Sequence, residues 1–333
     1  MIKSANSRTA APALAASTAL ALALTIALAA GACTGGDAGR PAAAATPAAP
    51  SVSAPSTSLD LSRLKPDFDF RGRIVFQSDA DGDNEIYELT RDSVRRLTDN
   101  AWSDEYPRWS PDGTRIAFAA NPRGNHDIFV MNADGTGTTA VAETPADETE
   151  PAWLPDGAGL AFTRDDALWA IDLAAKRERR VLPDFSRSHG LSDFAPGGGL
   201  AAFTGKRLLG WDVFAADLAR ATTTPLTKGG KSCRPRFSHD GRTIAYVSSL
   251  ADGKGDVFLM NPDGSGKVRL TARNDTVDYF PAWSPDDQDI VFCSSSEHSP
   301  KKGRWSLFLV KTSTKLVTPL FSGFEKTLFP DWH

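Results

Sequence analysis

Cysteine and histidine are scarce in this chain. Three Cys and five His are spread over 333 residues. So few cysteines exclude a disulfide-built scaffold. No Gly-x-Ser-x-Gly elbow and no His-Glu-x-x-His pair is present, which removes two familiar routes to hydrolysis. The histidines are scattered: His126 and His298 in polar loops, His239 in a turn, His333 at the C-terminus, and His189 just before an apolar run. A dense basic stretch is also missing, and the formal net charge is −4, so nucleic acid is not an expected partner. From residue 72 onward, no stretch of helical length keeps a 3.6-residue apolar period.

What is present instead is a repeat. Pro107-Arg108-Trp109-Ser110-Pro111-Asp112-Gly113 returns as Pro151-Ala152-Trp153-Leu154-Pro155-Asp156-Gly157. It returns again from Pro235 to Gly241 and from Pro281 to Asp287, with a worn copy at Asp193-Phe194-Ala195-Pro196-Gly197. The aromatic anchors Trp109, Trp153, Phe194, Phe237, Trp283 and Trp332 are spaced 41 to 49 residues apart. Such a period marks a solenoid, a propeller or an array. After each Pro-Asp-Gly turn comes an apolar run such as Ile116-Ala117-Phe118 or Ile290-Val291-Phe292. An aliphatic–aromatic pair follows, as in Ile128-Phe129 or Val257-Phe258, and then a weaker run such as Leu270-Thr271. These are strand signals, four to a period.

The ends of the repeat separate a closed ring from an open stack. Ile74-Val75-Phe76, Ile86-Tyr87 and Leu97-Thr98 read as a blade without its first strand. Pro330-Asp331-Trp332 reads as a first strand without the other three. The two remnants complete one sheet, so the chain is expected to be an all-β, six-bladed propeller of four-stranded blades, closed by its C-terminal strand. The Pro-x-Trp-Ser-Pro-Asp-Gly-x-x-Ile-Ala-Phe pattern resembles the TolB-like six-bladed β-propeller repeat over roughly residues 72–333. That resemblance implies the fold strongly and the function weakly.

Upstream, Lys3 and Arg8 precede an apolar stretch from Ala19 to Ala30, which runs into Gly31-Ala32-Cys33. This order is that of an export signal. A Cys after small residues resembles a bacterial lipobox, which makes Cys33 a candidate lipidated residue. Ordinary cleavage near Ala32 is the other reading. Residues 1–32 are therefore expected to be a signal peptide of lipoprotein type. Residues 33–58, rich in Ala, Pro, Ser and Gly, are expected to be a disordered tether, and 59–333 the propeller. The expected location is the periplasm or cell surface, at the outer membrane in a Gram-negative cell. In an oxidising compartment Cys233 and Cys293 could pair or remain separate.

Topology puts the strand-two to strand-three loops and the blade-to-blade connections at one end, and the Pro-Asp-Gly and Asn-x-Asp-Gly turns at the other. The loop-rich end is the expected binding rim. Its candidates are Asp104, Glu105, Tyr106, Asp147, Glu148, Glu150, His189, Arg234, Arg236, Asp278 and Tyr279. Separated charge and exposed aromatics suit docking. Asp79, Asp81 and Asp83 stand at alternate positions and are weak calcium candidates, although the EF-hand register fails at Asn84 and Thr90. No cofactor is otherwise expected. The expected function is non-catalytic binding of an envelope protein or wall polymer by a monomer. The alternative is a propeller-type hydrolase or lyase with its site at the channel mouth.

Overall fold

The computed structural model describes residues 60–64, 66–182, 190, 192–273, 275–297, 299 and 302–333. Among them are six four-stranded antiparallel sheets. Blade 1 consists of Asp104–Trp109, Arg115–Ala120, Asp127–Asn132 and Thr139–Ala142, from the channel outward. Blades 2 to 5 repeat this order, with inner strands Glu148–Trp153, Asp193–Phe194, Ser232–Phe237 and Val277–Trp283. Blade 6 takes its inner strand, Leu328–Trp332, from the C-terminus and its other three from Ile74–Ser78, Glu85–Leu89 and Val94–Arg96. Ile74 faces Trp332 and Val75 faces Asp331 across the seam. Arg73 and His333 exchange backbone hydrogen bonds of 2.6 and 2.9 Å beside it. No sheet edge is left open at the junction, as the two sequence remnants required.

One cross-strand pair recurs in the middle of every blade. Phe76 faces Tyr87, Phe118 faces Phe129, Phe162 faces Trp169, Phe203 faces Phe214, Tyr246 faces Phe258, and Phe292 faces Phe308. This is why the second run ends in Phe or Tyr and the third carries an aromatic. Such pairs contribute roughly 0.5–1.5 kcal/mol beyond their burial. The Pro-Asp-Gly turns hold themselves. Ser110 Oγ donates to Asp112 Oδ1 (2.5 Å), Thr114 N donates to the same oxygen (3.1 Å), and Gly113 N donates to Ser110 O (2.8 Å). Gly113 has φ +64 and lies against the His333 ring, so no side chain fits there.

Cys293 is a free, buried thiol, so it does not bridge to Cys233. No helix among the described residues is long and apolar enough to cross a membrane.

Candidate functional site

Much of the acidic rim turns inward. Asp104, Glu148 and Asp278 are 1, 0 and 0 % exposed. Asp104 and Glu148 are the first residue of an inner strand and Asp278 the second, and each is built into the junction with the preceding blade. Asn100 Nδ2 donates to Asp104 (2.7 Å), Arg164 Nε to Glu148 (2.7 Å), and Ser294 Oγ to Asp278 (2.7 Å). A second buried carboxylate begins the third strand on the other side of each junction: Glu85, Asp127 and Asp256. Between the two lies the end of strand four, where Thr98 and Thr271 accept from the backbone N–H of Ile86 (2.9 Å) and Val257 (3.0 Å). Burial raises the pKa of Glu85, Asp104, Glu148 and Asp278, and pushes Asp256 up to about 7. Tyr279, picked as an exposed aromatic, is buried and stacks on Trp305. These residues are joints between blades. A run of Asp and Glu near a loop reads as surface charge because sequence does not show that strand starts face the neighbouring blade.

Glu105 and Asp147 stay nearer the surface. Glu105 accepts from Asn84 Nδ2 (2.7 Å), and exposed Asp147 accepts from His126 N (2.8 Å). His189 and Cys33 lie outside the described residues. Of the calcium candidates, Asp81 and Asp83 gather with Glu85, whereas Asp79 stands apart and pairs with Lys326 (2.5 Å). Arg96 pairs with Asp81, Glu85 and Asp99, so the chain supplies its own cation to that cluster.

Four other rim candidates converge on the central channel. In five blades the inner strand bulges where a residue precedes proline, and that residue is left-handed: Tyr106, Glu150, Arg234, Phe280 and Phe329, with φ between 52 and 58°. Residues before proline normally stay extended, and each non-glycine residue in this region costs roughly 1–2 kcal/mol. The bulges aim these five side chains into the channel, where they line a small cavity of about 30 Å³. Phe280 and Phe329 lie 3.9 Å apart by ring centroid, and Tyr106 sits edge-on to Phe329 at 4.5 Å. The Arg234 guanidinium lies 4.4 Å from the Phe280 ring centroid, and burial lowers its pKa.

Two residues further along each strand, a charged layer closes the channel. Arg108 donates to Asp193 (2.8 Å) and lies 3.6 Å from Asp331. Arg236 pairs with Asp331 and lies 4.0 Å from Asp193. The carboxylates also accept backbone N–H bonds, Asp331 from Trp109 and Asp193 from Phe237, both at 2.7 Å. Around the ring the residue before each aromatic anchor runs Arg108, Ala152, Asp193, Arg236, Ala282, Asp331. Like charges therefore occupy opposite blades, and each Arg lies between two Asp. Sequence reasoning missed this layer, although the signal stood one residue before every anchor.

Beyond the layer, toward the turns, the channel widens into a funnel of about 360 Å³. All six repeat anchors line it, with Arg108, Asp193, Arg236 and Asp331 as its floor and His239 and His333 near its lip. Trp153 and Trp283 are held by Nε1 hydrogen bonds to the carbonyls of Arg108 and Arg236, both 3.0 Å. The wider concavity is therefore at the end with short, regular turns, opposite the expected rim.

A family model described as the TolB beta propeller domain matches residues 96–167. A protein named TolB homolog from Chlorobium luteolum is 33% identical over 204 residues, covering 59% of this chain and 46% of that protein. Dipeptidyl-peptidase 5 of Porphyromonas endodontalis is 25% identical over 231 residues, covering 65% of this chain and 33% of that enzyme. The chain thus spans less than half the length of these two curated relatives. The crystal structure of TolB from Acinetobacter baumannii superposes with a TM-score of 0.68 at 20% identity, over 80% of this chain and 67% of that one. Blade count, strand order, the closing strand and these likenesses agree: the domain is a TolB-like six-bladed β-propeller.

Proposed function

We propose that this propeller is a non-catalytic binding module of the bacterial cell envelope, and that it holds a protein partner in the turn-end funnel. One observation carries the reading. The six aromatic anchors of the repeat converge on a single open cavity whose floor is a fixed alternation of Arg and Asp. Aromatic walls supply anchor area at low entropic cost, and a fixed charge pattern sets the orientation of what enters. The four floor charges pair with one another and two of them with backbone N–H groups, an arrangement suited to reading a partner and poorly suited to moving protons. The likeness to a named TolB homolog supports this reading. The likeness to the peptidase extends over a third of that enzyme and gives no support to catalysis here.

Placement in the envelope follows from the export-type segment before Cys33. Lipidation of Cys33, with residues 34–58 as a tether, would hold the propeller at a membrane as a monomer. Mass spectrometry of the protein from its own membranes tests this; an unmodified Cys33, or its removal with residues 1–32, would refute the anchor. The funnel is tested at its lip. His239→Glu with Pro285→Glu places two new carboxylates at exposed turn positions. Capture of the native partner should fall about tenfold or more with thermal unfolding unchanged. Undiminished capture would exclude the funnel.

A further inference from the structure

The loop-rich end carries a feature that partner binding at the funnel does not use. Blade 3 has the longest hairpin among the described residues, Leu200–Arg207 with Gly210–Asp217, eight residues in each strand. Arg207 faces Gly210, so Leu208 and Leu209 form the turn itself. Turn positions favour Gly, Asn, Asp and Pro because those residues tolerate or preset the backbone. Here two leucines stand there instead, 99 and 79 % exposed. Leu250, also exposed, lies against Gly229 of the neighbouring connection, and the Leu209 carbonyl lies against Gly230. Trp211 N ties the hairpin to that connection by a 3.1 Å bond to Gly230 O. The leucines are thus held out on a braced support.

The charge around them has one sign. Lys206, Arg207, Lys228 and Lys231 are all exposed, and none forms an ion pair among the described residues. The nearby carboxylates are occupied. Asp212 is buried and accepts from Thr227 Oγ1 (3.0 Å), and Asp252 pairs with Arg269. Lys206 also lies over the Trp211 ring, 5.4 Å from its centroid. Exposed leucines beside cations that lack a carboxylate partner are the chemistry of a surface that enters the headgroup layer of an anionic bilayer. The chain's own path agrees. Leu61 and Leu64 pack against the core cluster that includes Phe324, and Leu64 meets Gly323, in the last blade-to-blade connection at this same end. The segment from Asp60 to Leu64 therefore lies at the end that carries the hairpin.

We propose that the Leu208-Leu209 hairpin, with Lys206, Arg207, Lys228 and Lys231, is a membrane-contact prong that inserts into the headgroup region of an anionic bilayer and turns the funnel away from it. The proposal is independent of the funnel's occupant. Its test is sedimentation of the full chain, carrying Cys33→Ser to remove any lipid attachment, with phosphatidylcholine vesicles made with and without phosphatidylglycerol. Binding should require the anionic lipid. Leu208→Ser with Leu209→Ser should weaken it about tenfold, and Lys206→Gln with Arg207→Gln should weaken it similarly and flatten its salt dependence. On vesicles, amide exchange should slow at residues 206–211. Both side chains are fully outside the core, so the unfolding temperature should not move. Equal partition of variant and parent, or no slowing at 206–211, would overturn the proposal. Loss of self-association in the leucine variant, with no vesicle binding by the parent, would overturn it in favour of contact between copies.

Discussion

The loop-rich end holds most of the clustered carboxylates and turns them inward; the turn end holds the aromatic anchors and opens them into a cavity. The difference follows from where each residue sits on its strand. A carboxylate at the first or second position of an inner strand meets the third strand of the preceding blade, so Asp104, Glu148 and Asp278 become joints. An aromatic that ends the same strand meets the widening channel, so Trp109 and its five counterparts become walls. The charged layer of Arg108, Asp193, Arg236 and Asp331 divides the two.

Breaking that layer should have the largest effect. Arg108→Ala leaves Asp193 without its closer cationic partner in a mostly buried network, and about 3–5 kcal/mol of stability should be lost in urea unfolding. A pair of substitutions at the loop-rich end comes next. Asp104→Lys forces a longer side chain of opposite charge into a packed blade joint, removes the acceptor of the Asn100 bond and should cost about 3 kcal/mol, whereas Asp147→Lys at the exposed surface should stay within about 0.5 kcal/mol. Equal effects from the two would erase the distinction between joint and rim. Gly113→Ala at the turn end should cost about 1–2 kcal/mol, because it forces a left-handed side chain against His333.

The smallest effect is a pH dependence of the joints. Asp256 has its folded pKa raised by burial to about 7. A raised carboxylate favours the folded state while protonated, so its contribution is full below its unfolded pKa and fades as pH rises through 7. The unfolding temperature should therefore fall by a few degrees between pH 5.5 and 8.5, and Asp256→Asn should flatten that slope. An unchanged slope in the variant would place the effect elsewhere.

The fold was almost fully legible. The period, the Pro-Asp-Gly turns and the complementary end remnants each have a local physical cause, and all agree. The site was legible only in part. Tyr106, Glu150 and Arg234 do reach the channel, carried there by a left-handed bulge before proline that residue types alone do not announce, and Arg236 reaches it two residues beyond the bulge at Arg234. Asp104, Glu148, Asp278 and Tyr279 misled because strand-start polarity looks the same in a joint and on a rim. The Arg-Ala-Asp alternation could have been found by aligning the repeats on their aromatic anchors. The Leu208-Leu209 turn could have been found as an apolar pair between two strand signals, where a turn former was due.

The most direct test places a photo-crosslinking amino acid at position 239, on the lip of the turn-end funnel, and separately at position 147, exposed at the loop-rich end. Each protein is irradiated in its own envelope. A defined protein adduct from position 239 and none from position 147 is the expected result. Adducts from 147 alone would contradict a turn-end binding site.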